Sequence, residues 1–128
     1  MAKILVADDD AVFRAMLRSR LVDAGFEVEE ASDGKQVLEK LKGFKADLLI
    51  LDVIMPELGG IELIKKLRAA DNTRNVPIIF ITGSSYGEME VAWLGPKLKH
   101  QLLLTKTTEW EVILEKVKSL LNPPPASK

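Results

Sequence analysis

Clustered aspartates are the feature of this sequence most suggestive of chemistry. Asp8, Asp9 and Asp10 stand in a row directly after the apolar run 4–7. Neighbouring carboxylates repel one another when ionised, so such a cluster needs a compensating partner. A further acid, Asp52, also ends an apolar run. Acids placed at the ends of two buried segments predict a charged site there.

Three of these acids suit a hard divalent cation. Mg²⁺ prefers oxygen ligands and usually keeps several waters. Bound by Asp8, Asp9 and Asp52, it would relieve their mutual repulsion. Asp10 begins the next segment and suits a helix N-cap. An Asp before a helix is commonly only a cap, so the metal interpretation depends on Asp52 approaching Asp8 and Asp9 from a neighbouring strand.

The elements that must position these residues alternate regularly. Apolar runs at 4–7, 47–52, 76–82 and 101–105, and the segment 26–30 in which apolar and acidic residues alternate, read as strands, and helix-period segments follow each of them. The third run is apolar on both faces, which is typical of a central parallel strand covered by helices on both sides. Five strands alternating with five helices predict an α/β fold: a doubly wound five-stranded parallel sheet with helices on both faces.

The carboxyl ends of such a sheet are where ligands bind. Asp8 and Asp9 follow the first strand, Asp52 the third, Thr82 ends the fourth, and Lys106 follows the fifth. A strand order of 2-1-3-4-5 would bring these ends together, with the switch point between strands one and three. Thr82 or Lys106 alone would be unremarkable, so the prediction depends on the combined placement.

Composition limits the remaining classes of function. The 128 residues include 47% hydrophobic and 29% charged residues, with a formal net charge of -1, which argues against a general nucleic-acid or membrane-surface binder. No cysteine is present, which excludes disulfide and thiolate chemistry. No signal pattern is seen, so a cytoplasmic protein is expected. We expect one domain at 1–121 and a Pro-rich disordered tail or linker start at 122–128.

The chain resembles the receiver domain of bacterial response regulators, the CheY-like type, over about residues 3 to 121. The segments that carry the resemblance are ILVADDD, LLILDVIMPELGG, PIIFITG and LLLTK. The acid pair, the lone Asp, the hydroxyl and the lysine occur in the family's order. The family's flavodoxin-like 2-1-3-4-5 sheet agrees with the order expected from the strand pattern.

By this resemblance, the chain would be a signalling protein and not a turnover enzyme. Asp52 would be the phosphoacceptor, taking a phosphoryl group from a phosphohistidine in a Mg²⁺-dependent reaction. Lys106 would neutralise phosphoryl oxygens, and Thr82 would move inward to bond them, which would switch a partner-binding surface.

The resemblance also implies a ligand set for Mg²⁺. Asp9 would bind the ion directly and Asp8 mainly through water. Asp52 and the backbone carbonyl of Ile54 would be the protein's other ligands.

The sequence departs from the family pattern around the lysine. Thr107 replaces the usual proline, so the bond before it is expected to be trans. Leu103 stands where the switch aromatic usually lies. The span from Thr82 to Lys106 is about two residues longer than usual, and residues 96–100 replace the usual Gly-Ala-Asp. Ile54 offers no polar group to orient a hydrolytic water, so we predict slow self-dephosphorylation.

The expected partners are a sensor histidine kinase or His-phosphotransfer protein, and a downstream protein or an output domain beyond residue 128. No direct nucleic-acid or membrane binding is expected, and pairing into a homodimer is a further option. One alternative is a receiver-like interaction module that acts without phosphorylation. A turnover enzyme is a third option, although the chain lacks the P-loop signature that a nucleotide hydrolase needs.

Overall fold

A computed structural model of the protein describes residues 2–83 and 101–121. In chain order, this part contains β1 Lys3–Ala7, α1 Ala11–Asp23, β2 Glu27–Ala31, α2 Gly34–Lys40, β3 Leu48–Leu51, α3 Gly60–Ala69, β4 Ile78–Thr82, β5 Gln101–Thr105 and α4 Trp110–Leu121. The helix predicted between the fourth and fifth strands, at 86–94, lies outside the described residues, as do the departing segment 96–100 and the tail 122–128.

The five strands form one parallel sheet in the order β2-β1-β3-β4-β5, which confirms the predicted fold class and strand order. Ala7 pairs in register with Leu51, and the Asp52 N–H donates to the Ala7 carbonyl at 2.9 Å. Asp8 and Asp52 directly follow these paired residues, so they lie next to each other at the carboxyl edge of the sheet.

Two apolar layers sandwich the sheet, as the doubly wound prediction requires. β3 and β4 are buried along their whole length. One layer lies between the sheet and the α2–α3 side, and its largest buried members include Leu5, Leu49, Phe80, Leu63, Ile64 and Leu67. The other lies between the sheet and the α1–α4 side, and it includes Ile4, Ile50, Ile79, Leu17, Leu21 and Ile113. Covering both faces leaves the carboxyl edge of the strands as the place for polar groups.

The first helix begins where the acidic run ends. The Asp10 carboxylate accepts hydrogen bonds from the Val12 and Phe13 N–H groups, both at 3.1 Å, which confirms its predicted role as an N-cap. Asp33 caps α2 in the same way, through the Gln36 N–H at 2.8 Å. Within the described ranges 2–83 and 101–121, every helix is too short or too polar to cross a bilayer.

Candidate functional site

Three acids meet at the carboxyl edge of the sheet. Ligand oxygens of Asp8, Asp9 and Asp52 all lie within 4.8 Å of one another. Asp8 and Asp52 are buried, at 2% and 6% exposure, whereas Asp9 faces solvent. Carboxylate oxygens converging from two strands are the donor set that Mg²⁺ prefers, so the residues present fit that ion.

Lys106 reaches into this acidic site from the end of β5. Its Nζ lies 3.0 and 3.1 Å from the two Asp8 carboxylate oxygens and 3.4 Å from Asp52 Oδ2. Its backbone N–H donates to the carbonyl of Thr82 at 3.0 Å, and the Thr82 side chain is buried. The structure thus brings Asp8, Asp9, Asp52 and Lys106 together and sets Thr82 on the adjoining strand end.

Burial and charge shift the protonation of this cluster. Burial, with the neighbouring Asp8 carboxylate, raises the pKa of Asp52 from its usual 3.8 to about 6, although Lys106 offsets part of the rise. Burial also disfavours the Lys106 ammonium, but its contacts with Asp8 and Asp52 outweigh that penalty and raise the pKa of Lys106. The lysine is therefore positively charged. Burial and the nearby Asp8 carboxylate make the ionised form of Asp52 less favourable than it is in water.

Asp8 is fixed by more than its position on β1. Its carboxylate accepts the Asp10 N–H at 2.8 Å, and its carbonyl accepts Nη1 of Arg14 at 2.6 Å. Nε of Arg14 bonds the Glu30 carboxylate on β2 at 3.0 Å, and Arg18 pairs with that carboxylate at 3.3 Å. Sequence reasoning missed Arg14, because helical periodicity does not show that a side chain of α1 reaches the Asp8 carbonyl and the Glu30 carboxylate on β2.

Two further residues missed from the sequence surround Lys106. Its Nζ lies 5.0 Å from the centre of the Phe13 ring, a cation–π distance. A β-carbon at Gly83 would lie 3.4 Å from Lys106 Cδ, so the lysine stem runs close past that backbone. Phe13 could not be singled out from the sequence, because helical periodicity does not reveal which strand end the start of a helix faces.

The turn after Lys106 is held by threonine hydroxyls. The Thr108 hydroxyl accepts the Thr105 N–H at 3.2 Å, and the Thr105 and Thr107 hydroxyls bond each other at 2.8 Å. Every peptide bond in the described ranges is trans, including the bond between Lys106 and Thr107, as predicted. Leu103, at the position of the missing aromatic, is half-buried against the α2–α3 layer.

The loop after β3 passes close to Asp52. The Ile54 N–H donates to Asp52 Oδ1 at 3.3 Å, while Ile54 itself is 41% exposed. The Gly60 N–H bonds the Val53 carbonyl at 2.8 Å. A β-carbon on Gly60 would lie only 2.7 Å from the Asp52 carbonyl oxygen, so the backbones approach more closely than a side chain allows.

Comparison with known proteins agrees with this geometry. The chain matches the family described as "Response regulator receiver domain" over residues 4–118. The chain belongs to this family. As receiver domains are signalling domains of two-component systems, the chain is a signalling domain and not a classical enzyme.

The relatives of this receiver domain include proteins of similar length and proteins about twice as long. It is 33% identical to the chemotaxis protein CheY of Thermotoga maritima, covering 74% of this chain and 80% of that protein. It is 35% identical to the alkaline phosphatase synthesis transcriptional regulatory protein PhoP of Bacillus subtilis, covering 94% of this chain and 48% of PhoP. The receiver domain spans about half the length of most of the curated relatives that it matches.

Solved structures share the fold closely. The chemotaxis response regulator CheY4 of Vibrio cholerae superposes with a TM-score of 0.82 at 32% identity, covering 94% of this chain and 98% of that one. The response regulator TrrA of Thermotoga maritima, solved in complex with Mg²⁺-BeF, gives a TM-score of 0.79 at 30% identity, covering 94% and 99%.

Proposed function

We propose that this receiver domain accepts a phosphoryl group on Asp52 from a phosphohistidine of a sensor histidine kinase or His-phosphotransfer protein. The observation that carries the proposal is the placement of a buried Asp52 carboxylate within 3.4 Å of the Lys106 ammonium and beside two further acids. The buried Asp52 carboxylate lies beside one cation, Lys106, and the oxygens of Asp8 and Asp9 could bind a second cation. Such an arrangement suits phosphoryl transfer, because both cations can neutralise charge on the phosphoryl oxygens.

The chemistry would be a displacement at phosphorus. A carboxylate oxygen of Asp52 forms a bond to phosphorus as the bond between phosphorus and the histidine nitrogen breaks, and the electron pair stays on the imidazole. With a pKa of about 6, Asp52 is mostly ionised above that pH and ready to attack. The Lys106 ammonium neutralises negative charge on the phosphoryl oxygens, which is positioning and electrostatics more than covalent chemistry.

The carboxylate oxygens of the site suit a magnesium ion. Asp8, Asp9, Asp52 and the Ile54 carbonyl would hold it. When bound, it would supply further positive charge against the phosphoryl oxygens. The two lysine contacts support this assignment, because they show that positive charge is favoured between Asp8 and Asp52.

The output would be a change of surface. We propose that Thr82 turns toward the phosphoryl group and that the adjoining strands adjust, with Leu103 repacking in place of an aromatic ring. The downstream target is a partner protein or an output domain beyond residue 128. Several longer relatives are named transcriptional regulators, which supports the second option.

The test is the intact-protein mass after incubation with acetyl phosphate or phosphoramidate. Wild type, Asp52→Asn and Asp9→Asn are compared with Mg²⁺ and with EDTA. The expected result is one added phosphoryl group that requires both Mg²⁺ and Asp52 and forms far more slowly in Asp9→Asn. An equal gain in Asp52→Asn would contradict the assignment of the acceptor.

A second candidate is a receiver-like interaction module that acts without phosphorylation. The observation in its favour is that Lys106 already bridges the two buried acids. This candidate predicts no mass gain under any condition, together with partner binding that Asp52→Asn leaves unchanged.

A further inference from the structure

The conformation of Lys106 needs an explanation. A lysine side chain is flexible and loses substantial rotamer freedom when its ammonium is fixed in one place. The next residue, Thr107, does not lock the backbone as a proline would. Nevertheless the Lys106 side chain is only 22% exposed, and its Nζ contacts Asp8 and Asp52 together.

An aromatic ring lies against the charged end of this side chain. Nζ of Lys106 is 5.0 Å from the centre of the Phe13 ring. The face of a ring attracts a cation without accepting its hydrogen bonds in the way a carboxylate does. Lysine has three N–H donors, so the ring leaves them available for the acids and for an incoming phosphoryl group.

Phe13 is itself well anchored. Its N–H donates to the Asp10 carboxylate at 3.1 Å, which fixes the start of α1 directly after the acid run. Its side chain is half-buried and packs against the layer between the sheet and α1–α4. The ring is therefore held in place by the capped start of α1 and by its packing on this apolar layer, and the lysine can be positioned against it.

We propose that Phe13 is a positioning residue that holds the Lys106 ammonium at the acidic site, where it meets the phosphoryl group. The stem of Lys106 is confined at the same time by the backbone of Gly83, where a β-carbon would approach Cδ to 3.4 Å. This inference rests on the proposed function, since it assigns a role within phosphorylation of Asp52.

The experiment compares three variants by their phosphorylation rate with phosphoramidate in saturating Mg²⁺. Phe13→Leu removes the ring, and Phe13→Tyr keeps it. Phe44→Leu is the matched control. Nζ of Lys3 lies 5.7 Å from the centre of the Phe44 ring, so these two residues form a similar cation–π pair, and neither belongs to the site. Phe13→Leu is expected to react roughly three- to tenfold more slowly, while the other two stay within about twofold of wild type.

A double-mutant cycle with Lys106→Ala separates positioning from a general effect on the fold. In the Lys106→Ala background, Phe13→Leu is expected to change the rate by less than about twofold. The ε-methylene protons of Lys106 give an independent NMR signature: their ring-current shift is lost in Phe13→Leu and kept in Phe13→Tyr. If Phe13→Leu does not fold, Phe13→Met replaces it.

The possible failures are distinguishable. If wild type is phosphorylated and Phe13→Leu reacts at the wild-type rate, the inference about Phe13 is wrong and the proposed function stands. An equal slowing by Phe13→Leu with and without Lys106 would also overturn the inference. If wild type itself gains no phosphoryl group, the proposed function fails, and the role of Phe13 fails with it.

Discussion

The ammonium of Lys106 lies closer to Asp8, at 3.0 Å, than to the candidate acceptor Asp52, at 3.4 Å. One cation thus serves two buried acids, and its nearer contact is Asp8 and not the proposed phosphoacceptor. A charge shared in this way stabilises the metal-free site and can be redistributed when a phosphoryl group arrives. The first two predictions follow from this shared charge.

The Asp52 carboxylate should make the metal-free protein less stable at high pH. Its pKa in the fold is about 6, above the usual 3.8, so folding favours the protonated form. Its contribution to stability is present below about pH 4 and is lost as the pH rises through about 6. Asp52→Asn should therefore be about 1 to 2 kcal/mol more stable than wild type at pH 8 in EDTA.

Urea unfolding of both proteins at pH 8 and pH 5 measures this difference. The advantage of Asp52→Asn should shrink at pH 5, because most of the wild-type Asp52 in the folded protein is then protonated. An advantage that is the same at both pH values would show that repulsion at Asp52 is not its source.

Lys106→Ala should destabilise the metal-free protein, because it leaves Asp8 and Asp52 buried without their cation. We expect a loss of about 1 to 3 kcal/mol at pH 8 in EDTA, with most of it recovered in Mg²⁺. The matched control is Lys42→Ala, whose pairing with Glu39 is exposed, with a side-chain exposure of 74% for the lysine. This control should change stability by less than about 0.5 kcal/mol. A loss that Mg²⁺ leaves undiminished would argue against the ion binding at this site.

Arg14→Ala should weaken Mg²⁺ binding without removing any ligand. The guanidinium holds the Asp8 carbonyl at 2.6 Å and is held in turn by Glu30. Without it, Asp8 should become more mobile and its oxygens less well placed, so we expect a roughly threefold or greater rise in the Mg²⁺ dissociation constant by calorimetry. Arg18→Ala is the control, since Arg18 is half-exposed and pairs with the same Glu30 carboxylate at 3.3 Å. Equal weakening in both variants would assign the effect to net charge.

Gly60→Ala should damage the loop that follows Asp52. The new β-carbon would lie 2.7 Å from the Asp52 carbonyl oxygen and 3.0 Å from Val53 Cα, so one backbone must shift. We expect a loss of about 2 kcal/mol or more and slower phosphorylation of Asp52. Gly43→Ala is the control, because a β-carbon there meets nothing within 4 Å. Thermal unfolding of both variants provides the test, and similar midpoints would rule out the close approach as a constraint.

Ile54→Asn should shorten the life of the phosphorylated state. Ile54 is 41% exposed, and its backbone N–H bonds Asp52. Its side chain carries no polar group to orient a water molecule, whereas the amide of an asparagine could hold one near the phosphoryl group. The decay of phosphorylated protein, followed by intact mass after removal of the phosphodonor, measures this. An unchanged or longer lifetime in Ile54→Asn, or a wild-type lifetime of only seconds, would contradict the prediction.

The fold was predictable because the strand pattern, the helix pattern and the placement of polar residues all indicate the same structure. Alternating apolar runs and helical stripes indicate a parallel sheet, and the strand ends indicate where Asp8, Asp52 and Lys106 must lie. The supporting residues were not predictable in the same way. Phe13 and Arg14 sit on a helix whose periodicity shows which face is apolar. The angle at which α1 packs on the sheet places Phe13 beside Lys106 and Arg14 beside Asp8. Periodicity does not give that angle.

The sequence separation within the site has a consequence for synthesis of the protein. Asp8 and Lys106 are 98 residues apart, and Asp52 and Lys106 are 54 apart. A growing chain exposes its acids long before the lysine that balances them is made. The same holds for any fragment ending before β5, which would carry the acceptor without its counter-charge. Under the proposed function, competence to accept a phosphoryl group should therefore arise only once β5 has been made, and a chain that stops short of β5 should not compete with complete receiver domains for phosphoryl donors.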